Sequence, residues 1–240
     1  MALKLIQTGD GSASLYHTGL DETYHSRHGA IAESQHVFIH HGLNHRLVPT
    51  QEPRGDAPQS ISILEMGFGT GLNALLTLLY QQNYAQNNQD SLLEPPRLTI
   101  NYQSLEAYPL KPEIYESLGY TGQLDCNSEL FLSLHRAPLE QMTEILPGFN
   151  LLKKAMKFED FTQDAAFDLV YYDAFGARVQ PELWEIERFS SLYQALHTKG
   201  VFVTYAAKGS VRRALKEVGF VVERLPGPPG KREMLRGTKI

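Results

Sequence analysis

Short apolar segments alternate with longer segments of helical periodicity along most of this chain. Apolar runs of about four to eight residues are typical of buried strands, and apolar positions three and four residues apart are typical of helices. This pattern predicts strands at residues 61–66, 98–106, 151–158, 167–173 and 200–206. It predicts helices at residues 70–82, 112–118, 128–135, 181–197 and 211–218. Such an alternation indicates a parallel sheet with right-handed crossovers.

A hairpin is predicted at each end of this alternating region. Residues 3–7 and 14–18 flank the turn Thr8-Gly-Asp-Gly-Ser, and residues 220–225 and 233–238 flank Pro226-Gly-Pro-Pro-Gly. Residues 30–38 have a helical pattern, and residues 50–60 read as a loop. We therefore expect an N-terminal, substrate-side extension at residues 1–55 and one α/β domain at residues 56–240.

A glycine-rich sequence, Glu65-Met-Gly-Phe-Gly-Thr-Gly-Leu-Asn73, follows the first strand of the predicted domain. In a doubly wound sheet this turn binds the ligand, and glycine lets the backbone approach it closely. The dinucleotide pattern would place its third glycine at Leu72. The spacing here resembles that of class I S-adenosylmethionine-dependent methyltransferases, although a turn without a ligand remains open. On this basis the cofactor-binding residues are Glu65, Gly67, Phe68, Gly69, Gly71 and Asn73.

Carboxylates follow four of the predicted strands, at the edge where such sheets bind ligands. Besides Glu65, they are Glu106, Asp160 and Asp173. Glu106 could accept both hydroxyls of a ribose. Asp160 could accept a hydrogen bond from the adenine amino group, and Phe161 could stack on the ring. Each carboxylate alone is more often a solvated group or a helix cap, but the set favours a cofactor site.

Asp173 is the candidate catalytic residue. Its strand is apolar, so its carboxylate is expected at the edge of a dry cleft, where it could orient an amine nucleophile and help to remove its proton. Phe175 could stack on a base ring, with a core position as the alternative. Tyr24 lies in a segment rich in functional groups, and we assign both aromatic residues to substrate binding.

Composition narrows the choice of partners. The 240 residues are 42% hydrophobic and 20% charged, which is ordinary for a globular protein. No apolar run is long enough for a bilayer, the start lacks a signal-peptide pattern, and one cysteine allows no internal disulfide. We therefore expect a cytoplasmic location and no membrane contact. Five histidines lie between residues 25 and 41, but without a zinc-ligand spacing, so no metal is expected.

Charge is distributed unevenly. The net charge is −5, yet residues 199–240 contain ten Lys or Arg and only three Asp or Glu. A local basic face of this kind suits RNA phosphates, which position a strand without reading its sequence. Ordinary solvated surface is the competing explanation. The candidate phosphate contacts are Lys208, Arg212, Arg213, Lys231 and Arg232.

Five sequence blocks in a fixed order resemble one family, the tRNA 5-methylaminomethyl-2-thiouridine biosynthesis methyltransferases, which include the methyltransferase part of bifunctional MnmC enzymes. The blocks are Glu65–Asn73, Leu105-Glu-Ala-Tyr-Pro-Leu110, Asp173-Ala-Phe with Pro181-Glu-Leu-Trp184, Gly209-Ser-Val-Arg-Arg-Ala-Leu215, and Lys231-Arg-Glu-Met-Leu235. Gly176 and Ala177 depart from the family pattern, which has a proline after this phenylalanine.

The resemblance implies N-methylation of 5-aminomethyl-2-thiouridine at the tRNA wobble position, with S-adenosylmethionine as donor. It implies a Rossmann-like class I fold: a mostly parallel seven-stranded sheet with helices on both faces and a small N-terminal β-hairpin extension. It also implies two partners, tRNA and a separate flavin-dependent oxidase that makes the amine.

Two other functions remain open at this point. An aminopropyltransferase of the spermidine-synthase kind shares the glycine turn, the strand-tip aspartate and a Tyr-His segment like Tyr24-His25, but the basic C-terminal region disfavours a cationic polyamine. A non-catalytic RNA-binding module could keep the fold, but the strand-tip carboxylates argue against it.

Overall fold

The chain begins with a small antiparallel sheet. The computed structural model describes residues 3–47, 59–87 and 98–240. Strands β1 (Leu3–Gln7), β2 (Ala13–His17) and β3 (Glu22–Thr23) pair in that order. The predicted N-terminal hairpin is therefore confirmed, and a two-residue third strand extends it.

One helical segment follows this small sheet and covers the main sheet. It consists of α1 (Ala30–Ser34), a π-helical stretch (Gln35–Asn44) and α2 (His45–Leu47). The segment packs tightly, because a Cβ atom at Gly42 would lie 3.1 Å from Val203 and 3.3 Å from Tyr171. The sequence predicts a helix only at residues 30–38. The predicted domain boundary at residues 55 and 56 lies outside the described residues and stays a prediction.

The main sheet has eight strands. They are β4 (Gln59–Met66), β5 (Leu98–Leu105), β6 (Thr143–Leu146), β7 (Phe149–Lys154), β8 (Phe167–Tyr172), β9 (Leu196–Thr204), β10 (Val221–Pro226) and β11 (Glu233–Thr238). Their order is β10-β11-β9-β8-β4-β5-β7-β6. The five central strands, from β9 to β7, run parallel, while β6, β10 and β11 pair antiparallel. This confirms the Rossmann-like α/β prediction.

Helices cover both faces of the sheet. They are α3 (Leu72–Asn87), α4 (Pro112–Tyr115), α5 (Tyr120–Gln123), α6 (Ser128–Arg136), α7 (Ile186–Ala195) and α8 (Gly209–Glu217). Successive residues of β8 point to opposite faces, so that Leu169 and Tyr171 join one buried cluster while Val170 and Tyr172 join the other. Because both faces are covered, the carboxyl edge of the parallel strands is where polar side chains gather.

The prediction of seven strands is wrong by one. The additional strand, β6, pairs with β7 across a tight turn in which Gly148 has a φ of 81°. The predicted helix at residues 181–197 is also divided. A 3₁₀ turn at Pro181–Trp184 precedes α7, because Glu185 between them has extended backbone angles.

Candidate functional site

A cavity of about 800 Å³ opens at the carboxyl edge of the sheet. We call it the first cavity. The turn after β4, the residues after β5, the residues after β8 and the segment after β3 all contribute to its wall. Its lining includes Tyr24, His25, Gly67, Phe68, Gly69, Thr70, Asn73, Glu106, Phe158, Glu159, Asp173 and Phe175.

The glycine turn takes a backbone course that depends on glycine. Gly67, Gly69 and Gly71 have φ values of 99°, 50° and 73°. Gly67 and Gly69 line the first cavity, and a Cβ atom at Gly69 would lie 3.3 Å from the ring of Tyr24. Gly71 faces inward instead, where a Cβ atom would lie 2.8 Å from Nε2 of His135. Two of these glycines therefore shape the cavity, and the third allows a histidine to pack behind the turn.

A buried histidine, His25, and a half-buried one, His135, hold Thr70 at the centre of this turn. Nε2 of His25 lies 2.7 Å from the Thr70 hydroxyl, and Nε2 of His135 lies 3.1 Å from the Thr70 carbonyl oxygen. Burial lowers the pKa of each histidine to about 4, so both rings are neutral at pH 7. Because a carbonyl only accepts hydrogen bonds, His135 carries its proton on Nε2. The sequence indicates only that His25 lies in a segment rich in functional groups, and it gives no signal for His135.

Glu106 lies just after β5 and faces the first cavity. Its Oε2 accepts a hydrogen bond from the Gly69 amide at 2.9 Å, and its Oε1 accepts one from the Tyr108 amide at 2.8 Å. Burial raises the pKa of Glu106, while these two amides act in the opposite direction. Each carboxylate oxygen keeps a second lone pair for a ligand. Glu106 thus ties the end of β5 to the glycine turn.

Asp173 lies at the end of β8 and faces the same cavity. Its Oδ2 accepts a hydrogen bond of 2.8 Å from the Asn73 side-chain amide. Burial, with a smaller contribution from the charge of Glu33, raises the pKa of Asp173 to about 7. A carboxylate with such a pKa exchanges a proton near neutral pH, which suits an acid–base group.

Glu65 lies behind the glycine turn rather than in the cavity wall. Its side chain has no solvent exposure, and its Oε2 accepts a hydrogen bond of 2.7 Å from the Ser104 hydroxyl. Burial raises the pKa of Glu65 to about 8. Glu65 does not line the first cavity, and its direct contact with a cofactor stays a prediction. Glu65 thus contacts β5 through Ser104, and its Oε1 atom is buried without a hydrogen-bond partner among the described residues.

After β7, the side chains that line the first cavity are not the ones assigned to the cofactor from the sequence. Phe161 is buried in the core, where its ring centroid lies 6.3 Å from that of Phe167, and Asp160 is exposed. The 3₁₀ turn at Phe158–Asp160 brings Phe158 and Glu159 to the first cavity instead. Neither Asp160 nor Phe161 lines the first cavity, so their assignment to the adenine stays a prediction that the cavity lining does not support.

Tyr24 and Phe175 meet across the mouth of the first cavity. Their ring centroids are 5.0 Å apart, and the planes are inclined by 80°. Phe175 is held by its backbone, because its carbonyl oxygen accepts a hydrogen bond of 2.8 Å from the Trp184 indole. Both residues assigned to substrate binding thus lie in the cavity wall, next to Asp173.

The basic residues of the C-terminal region fall into two groups. Lys231 forms an ion pair with Glu33, and its ammonium lies 3.8 Å from the ring centroid of Tyr205. Its role as a phosphate contact stays a prediction, and this ion pair already engages its charge. The other four have no carboxylate within 4.0 Å in the part of the chain that the structure describes: Lys208, Arg212, Arg213 and Arg232.

Two expected absences concern metals and membranes. Within residues 3–47, 59–87 and 98–240, no group of three or more His, Cys, Asp or Glu side chains has an arrangement that could hold a metal ion. Rings of His36, His40 and His41 contact one another, but they pack edge to face. Among the same residues, no helix is both long and apolar enough to span a bilayer.

Comparison with known proteins relates the chain to methyltransferases. Residues 149–240 match the model of a family described as S-adenosyl-L-methionine-dependent methyltransferase. The chain is 32% identical over 232 residues to the tRNA 5-methylaminomethyl-2-thiouridine biosynthesis bifunctional protein MnmC of Idiomarina loihiensis, and 28% identical over 231 residues to that of Pseudoalteromonas atlantica. These alignments cover 92% of the chain but 36% and 31% of the relatives. The chain therefore spans about a third of the length of these MnmC proteins.

Solved structures agree with this relation. The crystal structure of MNMC2 from Aquifex aeolicus is similar with a TM-score of 0.71 at 26% identity, over 98% of this chain and 70% of that chain. A spermidine synthase in complex with the transition-state analogue AdoDATO has a TM-score of 0.51 at 13% identity, over 99% of this chain and 72% of that chain, which shows a shared fold alone. The chain is therefore similar to S-adenosyl-L-methionine-dependent methyltransferases over residues 149–240 and to the MnmC proteins over most of its own length.

Proposed function

We propose that this protein methylates the primary amine of 5-aminomethyl-2-thiouridine at the wobble position of tRNA, giving 5-methylaminomethyl-2-thiouridine. The relatives named above carry this modified nucleoside in their names. The observation that carries the proposal is Asp173, a carboxylate with a pKa of about 7 that faces the same cavity as the glycine turn. Because tRNA is the proposed substrate, the proposed location is the cytoplasm.

The first cavity fits S-adenosylmethionine as the cofactor. Its volume of about 800 Å³ is within the range of small-molecule sites. The Oδ1 atom of Asn73 is buried without a hydrogen-bond partner in the described part of the chain, so it can accept a hydrogen bond from a bound group. Gly67 and Gly69 present backbone, Glu106 has free lone pairs for ribose hydroxyls, and Phe158 offers a ring face. S-adenosylmethionine, when bound, supplies an electrophilic methyl group on a sulfonium.

Asp173 has two tasks in the proposed reaction. An ammonium has no lone pair, so the amine must lose a proton, and the ionised carboxylate of Asp173 accepts it. The hydrogen bond from Asn73 fixes the orientation of that carboxylate. Tyr24 and Phe175 form the adjacent wall, where they exclude water and hold the substrate base. Positioning of this kind supplies up to about 7–11 kcal/mol of barrier reduction.

The amine substrate requires a source. We propose that a flavin-dependent oxidase, separate from these 240 residues, produces the free amine from a substituted precursor. The named relatives are bifunctional, and about two thirds of their length has no counterpart in this chain. The proposed partners are thus this oxidase and tRNA.

The alternative function, an aminopropyltransferase, would need an acidic surface rather than a basic one. A polyamine is a cation and is bound best by uncompensated carboxylates. Lys208, Arg212, Arg213 and Arg232 lie on the C-terminal side without acidic partners among the described residues, which favours a polyanion such as RNA.

Transfer of a labelled methyl group tests this proposal. The protein is incubated with labelled S-adenosylmethionine and tRNA that carries the unmethylated amine, and the nucleosides are then separated. Label in 5-methylaminomethyl-2-thiouridine is the expected result, with fully modified tRNA as the control. Absence of label there, together with product formation from decarboxylated donor and a polyamine, would favour the aminopropyltransferase.

A further inference from the structure

A second cavity, of about 530 Å³, opens beside the first. Its apolar wall is formed by Ala206, Ala207 and Val211, together with the rings of Trp184 and Tyr205. Trp184 is 9% exposed, and its ring centroid lies 6.1 Å from that of Tyr205. An apolar and aromatic wall of this size can take a flat, unsaturated ring such as a nucleobase.

The mouth of the second cavity is cationic. Its two carboxylates are already paired: Glu22 with Arg178 at 3.2 Å, and Glu233 with Arg224 at 3.4 Å. Lys208 and Arg232 also line this cavity, and among the described residues neither has a carboxylate within 4.0 Å. The mouth therefore has two cations that are free to contact an anion.

The start of α8 adds hydrogen-bond donors to the same mouth. Lys208 precedes the helix, and its side chain makes no capping hydrogen bond. Amides in the first turn of a helix have no partner within it, and the helix dipole favours negative charge there. Together with the two free cations, these amides suit a phosphate group.

One loop forms a wall of both cavities. Phe175 lines the first cavity, and the next residues, Gly176 to Arg178, line the second. The loop is fixed from both sides, because Tyr205 donates to the Ala174 carbonyl oxygen at 2.8 Å and Trp184 donates to that of Phe175 at 2.8 Å. A ligand that reaches into both cavities thus passes over a rigid divider.

We propose that the second cavity binds the nucleotide adjacent to the one whose amine enters the first cavity, with its base against Trp184 and Tyr205 and its phosphate at Lys208 and Arg232. This inference rests on the proposed function, because it assumes an RNA strand across the loop. If the proposal is correct, part of the affinity of the protein for the RNA strand comes from a site outside the reacting centre.

The fluorescence of Trp184 tests this assignment directly, because Trp184 is the single tryptophan of the 240 residues. The probe is the unmodified trinucleotide pUUU, titrated into the full chain without a methyl donor. A saturable change in tryptophan emission is expected. In the double variant Lys208→Ala, Arg232→Ala, the apparent Kd should rise about tenfold, and its dependence on salt should weaken.

Lys216→Ala provides the matched control, since Lys216 is an exposed cation near the other end of α8. It should leave the affinity for pUUU and the salt dependence unchanged. The inference is overturned if pUUU gives no emission change, if both variants behave alike, or if UMP binds as tightly as pUUU. Methyl transfer is measured separately, so that normal pUUU binding without methylation of tRNA would overturn the proposed function and leave the second cavity as a nucleotide site.

Discussion

The glycine-turn side and the basic side of the carboxyl edge are built in opposite ways. On the glycine-turn side, protein partners hold the functional groups. Thr70 contacts two histidines, Glu106 accepts hydrogen bonds from two backbone amides, and Asp173 accepts one from the Asn73 side chain. On the basic side, Lys208 and Arg232 have no carboxylate partner within the described ranges. A fixed site suits chemistry on a small cofactor, whereas free cations suit a polyanion with a flexible backbone.

Lys231 lines the second cavity beside Arg232, but protein partners hold it as they hold the groups of the glycine-turn side. Its ammonium pairs with the buried carboxylate of Glu33 and lies over the ring of Tyr205. Glu33 belongs to α1, so this ion pair joins the N-terminal segment to the loop before β11. The difference between Lys231 and Arg232 is therefore one of burial and pairing, not of charge.

Replacing Asp173, the proposed acid–base group, should have the largest effect. Asp173→Asn keeps the size of the side chain and an acceptor for Asn73 but cannot take up a proton. We expect kcat for tRNA methylation to fall about 10²- to 10⁴-fold. Calorimetric affinity for S-adenosylmethionine should change by less than about threefold, and an equal loss of affinity would instead assign Asp173 a structural role.

Loss of Glu106 should weaken cofactor binding. Glu106→Ala removes the proposed ribose acceptor and the anchor of the Gly69 amide, so calorimetry should give a Kd about 10- to 100-fold higher. Asp160→Ala is the control, because Asp160 is exposed and does not line the cavity. Equal effects of the two substitutions would support the assignment of Asp160 made from the sequence.

Substitutions of the adjacent residues Lys231 and Arg232 should differ in their effect on stability. Lys231→Ala leaves the buried carboxylate of Glu33 without its ion-pair partner, so the free energy of unfolding should fall by about 1–3 kcal/mol. Arg232→Ala should change it by less than about 0.5 kcal/mol. Denaturant unfolding measures both. Equal stabilities would mean that Lys231 is as free as its neighbour.

Glu65→Gln should flatten the dependence of stability on pH. Burial raises the folded-state pKa of Glu65 to about 8. Its contribution to the free energy of unfolding is therefore complete below the unfolded-state pKa and is lost as the pH rises through about 8. A neutral amide removes that loss. Between about pH 6 and pH 8, the variant should lose on the order of 1–2 kcal/mol less unfolding free energy than the wild type. Parallel pH curves would show that Glu65 is ionised in the fold.

The alternating pattern of the sequence predicts most of the fold, because a parallel sheet covered on both faces has continuous apolar strands. It does not reveal β6, whose four residues depend on pairing with β7. The glycine turn and the strand ends likewise indicate where Glu106 and Asp173 lie. His135 contacts Thr70 through tertiary packing, and the exchange of Phe161 for Phe158 follows from a 3₁₀ turn. No local sequence pattern predicts either of these two features.

The pH dependence of single-turnover methyl transfer to tRNA tests the role of Asp173 most directly. If its ionised carboxylate accepts the proton of the amine, the wild-type rate should rise with pH through about 7, where burial places the pKa of Asp173. The same rise should be absent from Asp173→Asn at saturating cofactor. A rise near pH 7 of equal size in both proteins would contradict the account.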